Sequence, residues 1–382
     1  MSRLVQLSIL LAILAAGYQF WLQPILTKLG VGRVVSPLNN TKCTTVAALA
    51  ACEKLVLHPS SGLLFLACST PESRAHWVPA VNQIDPSGPD ASVDYLATYD
   101  ATTGKVTRLE LPLGVHTHGL DVVPSADENV VYVYAVNHRK PADGEKGRGP
   151  DSTIEVFSMT VGQTALTHLH TIRHPAVLTP NDVVGSPDGR SVFFTNDHTS
   201  KTGWTRALSL LGLESGSVGF CSIVDASWEC KIVAPNLHGA NGIAATNDTF
   251  FVANCVFGGI YVLERQSDNA LLQTHTIPTE HALDNLSIDE DGVVYAAGIP
   301  AGLTLLAHIA DPKNKRSPSS AFAVSKNVGP GSFYGEKFVV EKVFEDDGAL
   351  ASGTTSVVHD VKRGKLYMNG IAAPHLTVCS DR

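Results

Sequence analysis

A short unit that opens on a polar residue recurs along this chain of 382 residues. Each copy continues with an apolar run, then a turn, then a second run rich in β-forming residues. The openings are Glu53, His118, Asn181, Asn241, Asn285 and Thr355. A repeat of roughly 40–50 residues with several strands per copy indicates a β-propeller. We therefore predict an all-β fold, a six-bladed β-propeller, in which equivalent positions of all blades surround one central channel.

The first thirty residues differ in composition from the rest. The segment 4–26 is mostly apolar, with Arg3 before it and Lys28 after it. This length is sufficient to span a bilayer, and the small residues near Ala15 give only a weak cleavage pattern. We predict a signal anchor or transmembrane helix over 1–30, retained or removed, and a propeller domain over 31–382. Either way the body would enter the secretory pathway, membrane-anchored with a lumenal or extracellular domain, or secreted.

Charge and composition restrict the possible partners. The net charge is −8, and 44% of the residues are hydrophobic. The short basic groups at 139–140 and 313–316 are typical of solvated loops. We therefore expect no nucleic-acid partner, a small-molecule substrate, and contact with a membrane through the N-terminal segment.

Seven cysteines fit an oxidising compartment. Cys43 precedes the first repeat and Cys379 follows the last, so a bridge between them would clamp the first blade to the last. Two further pairs flank plausible hairpins and could form disulfides, with buried free thiols as the alternative: Cys52 with Cys68, and Cys221 with Cys230. Cys255 would then be left over. The sequons at Asn39 and Asn247 predict glycosylation of a secreted surface.

One segment interrupts the strand pattern. Residues 204–211 (WTRALSLL) have helical character and follow the motif NDH at 196–198. A helix inserted between propeller strands would be a short lid over one end of the channel. A surface helix that covers bare strand edges is the alternative.

Oxygen donors cluster at the repeat openings. They are Glu53, Asn181, Asn241, Asp284 and Asn285, without Cys or Met among them. Oxygen ligands favour Ca²⁺ or Mg²⁺ over zinc or copper. Two carboxylates neutralise a divalent ion, and five ligands leave room for water and a substrate oxygen. The openings therefore predict a hard-metal site with an open position, as Lewis-acid catalysis requires.

Two histidines complete the predicted chemistry. His118 opens the second repeat and so points to the same axis, and His138 ends the following strand. A general base with an orienting partner is one reading of this pair, and structural histidines are the other. The sequence has no Gly-x-Ser-x-Gly nucleophile motif, so water is the expected nucleophile. Thr355 is assigned to the wall of the substrate pocket.

These motifs resemble those of the serum paraoxonase/arylesterase family of calcium-dependent lactonases, from Cys43 to Cys379. They are TPNDVV (179–184), FTNDH (194–198), ANGI (240–243), LDNLS (283–287), VNH (136–138) and HGL (118–120). The resemblance implies a six-bladed propeller with Glu53, Asn181, Asn241, Asp284 and Asn285 as ligands of the catalytic calcium. It also implies that His118 and His138 are the family's histidine pair, that Cys43 bridges Cys379, and that the hydrophobic leader is retained.

Two positions depart from the family pattern. Where the family holds a second, structural calcium, Asp182 is present and Leu120 would supply a carbonyl, but Lys54 stands where the family has an acidic residue. We predict that the Lys54 ammonium replaces this second ion and pairs with Asp182. At 298–300 the chain reads Gly-Ile-Pro where the family often has Cys-His-Pro, which alters the pocket wall.

The sequence thus predicts a calcium-dependent hydrolase of lactones and aryl or carboxylic esters, with one catalytic ion. Calcium would polarise the carbonyl while the histidine pair activates water. One alternative is a gluconolactonase-like propeller that uses a single metal. The other is a strictosidine-synthase-like or ligand-binding propeller without catalysis, which would not need five convergent oxygen ligands.

Overall fold

Six four-stranded antiparallel sheets form in the residues that the computed structural model describes, 3–89, 93–142, 144, 147–204, 206 and 216–381. The innermost strand of each sheet contacts the innermost strands of its two neighbours, so the ring is closed. This arrangement confirms the predicted six-bladed β-propeller.

The described strands and helices have the following bounds. The strands are β1 (Cys43–Val46), β2 (Cys52–His58), β3 (Leu63–Cys68), β4 (Trp77–Val78), β5 (Gln83–Ile84), β6 (Tyr95–Asp100), β7 (Val106–Arg108), β8 (Thr117–Pro124), β9 (Val130–Arg139), β10 (Asp151–Thr160), β11 (Thr167–Ile172), β12 (Pro180–Gly185), β13 (Ser191–Asn196), β14 (Gly216–Val224), β15 (Ser227–Leu237), β16 (Ala240–Thr246), β17 (Thr249–Asn254), β18 (Ile260–Arg265), β19 (Leu271–Ile277), β20 (Ala282–Ile288), β21 (Val294–Ile299), β22 (Ser319–Lys326), β23 (Phe338–Asp346), β24 (Ser356–Asp360), β25 (Lys365–Asn369) and β26 (Leu376–Ser380). The helices are α1 (Arg3–Gly17), α2 (Gln23–Lys28), α3 (Pro71–Arg74) and α4 (Gly302–Ala310), with a π-helical turn at Tyr18–Leu22 and 3₁₀ turns at Pro79–Val81 and Pro330–Tyr334.

The strand order within each blade follows the chain outward from the channel. From the channel outward the blades are β2-β3-β6-β7, β8-β9-β10-β11, β12-β13-β14-β15, β16-β17-β18-β19, β20-β21-β22-β23 and β24-β25-β26-β1, with β4 and β5 forming a separate ribbon. The N-terminal strand β1 is therefore the outer strand of the last blade, which closes the ring.

Disulfides form at three places in the described residues. Cys43 bridges Cys379, where β1 pairs with β26. The pairing is as predicted, but the bridge lies within the sixth blade rather than between two blades, because β1 belongs to that sheet. Cys52–Cys68 joins β2 to β3, and Cys221–Cys230 joins β14 to β15. Among the described cysteines, Cys255 is the one without a bridge.

Apolar side chains from facing sheets fill the space between neighbouring blades. Between the first two blades, for example, Phe65, Leu96, Val133 and Phe157 are all buried to 1% exposure or less. Each side chain of this size contributes about 1.5–3 kcal/mol when fully buried. These interblade cores hold the inner strands in place around the channel.

The apolar N-terminal segment is a helix of 26 residues, Arg3–Lys28, long and apolar enough to cross a membrane. Its last turn contacts the fifth blade: Lys28 Nζ donates to Thr279 O at 3.2 Å, and the Gly302 amide donates to Leu29 O at 3.0 Å. The predicted lid at 204–211 lies outside the described residues except for Trp204 and Arg206. Both sequon asparagines, Asn39 and Asn247, are exposed, and their glycosylation stays a prediction.

Candidate active site

The repeat openings meet at one end of the channel, on the innermost strands. At several of them the pairing with the second strand is interrupted: the register shifts between Cys52 and Lys54, at 117–120, at 180–183, at 240–243 and at 283–286. Such bulges change the direction of a side chain and are frequent beside active sites. Here they fall on the predicted ligands and on His118.

Two glycines allow neighbouring inner strands to approach each other closely at this level. A Cβ on Gly119 would lie 2.3 Å from Asn181 O, and a Cβ on Gly242 would lie 2.5 Å from the Asn285 Cα. Any other residue at either position would push the ligand-bearing strands apart.

A cavity of about 380 Å³ opens above these residues. Its floor contains four of the predicted ligands, together with His118 and Thr355; the four are Glu53, Asn181, Asn241 and Asp284. The fifth, Asn285, lies beside the floor and donates from Nδ2 to Glu53 Oε1 at 2.9 Å. Thr355 Oγ1 donates to Glu53 Oε2 at 2.6 Å. Both oxygens of Glu53 are therefore oriented by neighbouring inner strands.

The electrostatics of this floor fit a bound cation. Burial raises the pKa of Glu53 to about 7. Burial, followed by the charges of Glu53 and Asp182, raises the pKa of Asp284 well above its usual range. In the described part of the chain, the buried oxygens Asn181 Oδ1 and Asn241 Oδ1 have no hydrogen-bond partner. Two crowded carboxylates and two unsatisfied amide oxygens are a donor set suited to Ca²⁺.

The amides are essential to this donor set. Within the described residues, no cluster of three or more His, Cys, Asp or Glu side chains forms a metal site. The predicted site has two carboxylates, and the three asparagine oxygens bring its side-chain ligands to five. Calcium takes six to eight oxygens, so the shell keeps room for water and substrate.

The two predicted catalytic histidines are adjacent and buried. Their ring centres are 5.0 Å apart. His118 Nε2 lies 3.2 Å from Asn181 Nδ2, an amide that can only donate, so Nε2 is the accepting nitrogen. His138 Nδ1 lies 2.9 Å from Ser152 Oγ, and Trp77 Nε1 donates to His138 O at 2.7 Å. His118 Nδ1 and His138 Nε2 are without partners among the described residues and are not hydrogen-bonded to each other.

Both histidines are held in the neutral form. Burial and the nearby Arg74 guanidinium lower the pKa of His118 to about 3. Burial, and then the neighbouring His118, lower the pKa of His138 well below its usual range. A neutral imidazole has a free lone pair, but with a pKa of about 3 His118 is a weak base until negative charge develops beside it.

The predicted Lys54–Asp182 contact is present below the floor. Lys54 Nζ donates to Asp182 Oδ2 at 2.5 Å, and both side chains are almost fully buried. The carbonyl that accepts from Lys54 is that of Leu286, at 3.0 Å. Leu120, whose carbonyl the family resemblance assigned to a second calcium, is a buried residue of β8 that pairs with Ala135.

Some cavity residues were not assigned a role from the sequence. Asp197 lies in the cavity wall, and its Oδ1 is buried without a partner among the described residues. The Cys255 thiol also lies in the wall, where burial raises its pKa to about 12, so it is protonated. Asp197 belongs to the motif at 194–198 that carried the resemblance, which was the one available signal. The side chains of Ile299 and of the helix α4 make another part of the cavity wall apolar.

A six-bladed propeller with carboxylate, amide and imidazole groups in its channel is typical of propellers that bind or convert small molecules. The family model for arylesterases matches residues 103–378, and the chain therefore belongs to the arylesterase family. Serum paraoxonase/arylesterase 2 of Gallus gallus is 27% identical over 90% of this chain and 90% of its own length. Serum paraoxonase/lactonase 3 of Oryctolagus cuniculus is 28% identical over 95% and 96%.

Solved structures show a more distant likeness. A putative gluconolactonase aligns over 91% of this chain and 94% of its own, at 12% identity and a TM-score of 0.49. A likeness this remote does not favour the gluconolactonase alternative. The family match supports a hydrolase that acts on esters or lactones.

Proposed function

We propose that this chain is a calcium-dependent hydrolase of lactones and of aryl and carboxylic esters. The observation that carries the proposal is the cavity floor. There Glu53 and Asp284 are buried together, and Asn181 and Asn241 present oxygens without partners among the described residues. Buried polar groups are normally hydrogen-bonded, so this arrangement favours the binding of a cation. Family membership supplies the class of substrate.

The proposed ligands of the single catalytic ion are Glu53, Asn181, Asn241, Asp284 and Asn285. A calcium ion bound there would polarise the substrate carbonyl and stabilise the developing oxyanion. Thr355 and Asn285 orient the Glu53 carboxylate through the hydrogen bonds described above.

His118 is the proposed base. Its Nε2 faces the ligand residues, 4.0 Å from Glu53 Oε1, and would accept the proton of the attacking water. His138, held by Ser152 and by the Trp77 indole, would orient His118 through a hydrogen bond between the two nitrogens that lack partners among the described residues. General base catalysis of this kind contributes typically ~10²–10⁴-fold.

The walls of the cavity favour apolar substrates over sugar lactones. Ile299, Leu305, Ile309 and Ile371 form one apolar cluster in the cavity wall. A polyhydroxylated lactone would leave its hydroxyls unsatisfied against these side chains, at a cost of roughly 1–3 kcal/mol each. An alkyl or aryl substituent would instead gain from burial. This is the reason for preferring the ester and lactone proposal over the gluconolactonase-like alternative.

We further propose that the helix Arg3–Lys28 is a retained membrane anchor and that the propeller lies in the lumen or outside the cell. The disulfides and the exposed apolar surface of the helix support this placement. Carbonate extraction and protease protection of membranes that contain the full chain test it. Release of the chain into the soluble fraction would contradict the anchor.

Hydrolysis of phenyl acetate and a panel of alkyl lactones tests the activity. We expect turnover that is lost on chelation and restored by calcium. Asn241→Ala should remove it, whereas Asp289→Asn, just beyond the far end of β20, should not. Full activity after exhaustive chelation would contradict the calcium site. Calcium binding without turnover of any substrate would favour the non-catalytic alternative.

A further inference from the structure

A second set of contacts lies directly beneath the proposed calcium ligands. We call it the Lys54 hub, defined by Lys54, Asp182, Ile243 and Leu286. Asp182 Oδ2 accepts from Lys54 Nζ at 2.5 Å and from the Ile243 amide at 3.0 Å, and Lys54 also donates to Leu286 O at 3.0 Å. The Lys54 side chain is 4% exposed and that of Asp182 is 0% exposed.

Each hub residue is a near neighbour in sequence of one proposed ligand. Lys54 follows Glu53, Asp182 follows Asn181, Leu286 follows Asn285, and Ile243 comes two residues after Asn241. The hub therefore joins β2, β12, β16 and β20, inner strands of four different blades. A shift of any hub contact would move the ligand next to it.

Thr195 extends these contacts outward. Its Oγ1 donates to Asn241 O at 2.6 Å and accepts from the Asp182 amide at 3.1 Å. The hydroxyl thus links the backbone of two ligand-bearing strands from a position on β13. Through Thr195 the hub is therefore also joined to β13, the second strand of the third blade.

The charges of the hub balance without a metal. One ammonium faces one carboxylate and one carbonyl, and a divalent cation at the same place would be repelled by Lys54. The structural calcium implied by the family resemblance therefore does not fit these residues.

We propose that Lys54 is a positioning residue. Its ammonium does the work of a structural cation and holds the four strands that carry the catalytic ligands. The inference rests on the proposed function for the identity of those ligands, and its tests do not depend on turnover.

The metal content of the wild-type full-length chain is the first test. We expect one tightly bound calcium per chain by plasma mass spectrometry after dialysis against calcium-free buffer. Exhaustive chelation should remove that ion and leave a cooperative melting transition and native far-UV circular dichroism. Two tight ions per chain, or loss of the fold on chelation, would overturn the proposal. A chain that binds no calcium would contradict the proposed function, and the melting temperatures described next would then decide the hub.

Lys54→Met is the second test. It keeps most of the side-chain volume but leaves Asp182 without its ammonium. We expect the melting temperature in chelator to fall by on the order of 10 °C, and the calcium affinity from titration calorimetry to fall by roughly 10–100-fold, as for other partners behind a metal ligand. The double variant Lys54→Met/Asp182→Asn should recover most of the melting temperature, because the uncompensated charge is gone.

A matched control separates positioning from general stability. Arg363→Met breaks the Arg363–Asp360 ion pair, with N and O 3.0 Å apart, at the β24–β25 turn. It should leave the calcium affinity unchanged. Equal calcium affinity in wild type and Lys54→Met would overturn the positioning role. If Lys54→Met does not fold, the wild-type metal content and its melting in chelator still decide between one ion and two.

Discussion

The proposed calcium ligands of the cavity floor and the Lys54 hub lie on the same four strands, but their polar groups differ in how far they are satisfied. On the floor, buried oxygens of Asn181 and Asn241 have no partners within the described residues, and two carboxylates crowd together. In the hub, an ammonium, a carboxylate, an amide and a carbonyl satisfy one another, with Asp182 Oδ1 as the exception in the described chain.

The comparison shows how a chain can keep a strained binding site folded. The floor is destabilising without the proposed cation, because carboxylates buried together disfavour each other's charge and unsatisfied oxygens have lost their water. In the hub the cation is the Lys54 ammonium, which is part of the chain, so the contacts of the hub do not depend on a bound ion. The stability that the Lys54 hub contributes would thus offset the instability of the proposed calcium site.

Asp284→Ala should have the largest effect, and it tests whether the cavity floor is strained. Loss of a ligand should lower turnover by on the order of 10³-fold or more. The same change removes one of two crowded carboxylates, so the melting temperature in chelator should rise above that of wild type. Lactone hydrolysis measures the first effect, and differential scanning fluorimetry in chelator and with calcium measures the second. A lower melting temperature in chelator would show that the floor is not strained.

His118→Gln tests the base and should have the next largest effect. We expect turnover of alkyl lactones to fall by about 10²–10⁴-fold. Aryl esters should lose less, because their better leaving group needs less help from a base. The calcium affinity should stay within a few-fold of wild type, since His118 is not a proposed ligand. An equal loss for both substrate classes, together with lost calcium, would instead indicate a structural role.

Cys52→Ala/Cys68→Ala examines the link from the floor to the second strand. The bridge flanks the bulge that presents Glu53. Its removal should cost about 2–4 kcal/mol of unfolding free energy and should weaken calcium binding. The comparable Cys221→Ala/Cys230→Ala, distant from the floor, should affect stability without changing calcium affinity.

Substitution of His359, which lines a second pocket beyond the Lys54 hub, should have the smallest effect on stability. The hydrogen bond that His359 donates to Asp289, and then the one that it donates to Asp381, raise the pKa of His359. The resulting stabilisation is complete below the ordinary histidine pKa of about 6.5 and disappears as the pH rises through the folded-state value. His359→Gln should therefore lower the melting temperature by roughly 2–4 °C at pH 5.5 and leave it nearly unchanged at pH 9. A difference independent of pH would contradict this assignment.

Much of the fold was predictable because every blade but the last is encoded by one contiguous repeat of the sequence. Each repeat carries its own apolar runs and turns, so six openings could be counted without knowing how the blades pack. The cysteine pairs were recognisable from their places relative to those repeats. The lid at 204–211 lies mostly outside the described residues and stays a prediction.

The site was only partly predictable. The oxygen donors could be read from the openings, but the orientation of each depends on bulges and on contacts between blades. Thr355 was assigned to the pocket wall; it does line the cavity, and it also binds Glu53. Asp197 entered only as part of a motif, since nothing local distinguishes a cavity carboxylate from a turn aspartate.

By itself the sequence determined the number of blades, the oxygen character of the site and the unusual lysine at position 54. These follow from periodicity and residue type, which are properties of the chain alone. The tertiary structure decided which oxygens are left without partners in the described chain, which carbonyl accepts from Lys54, and that β1 closes the last blade. Each of these depends on contacts between residues far apart in sequence, up to 336 positions for the Cys43–Cys379 bridge, and only closure of the ring brings them together.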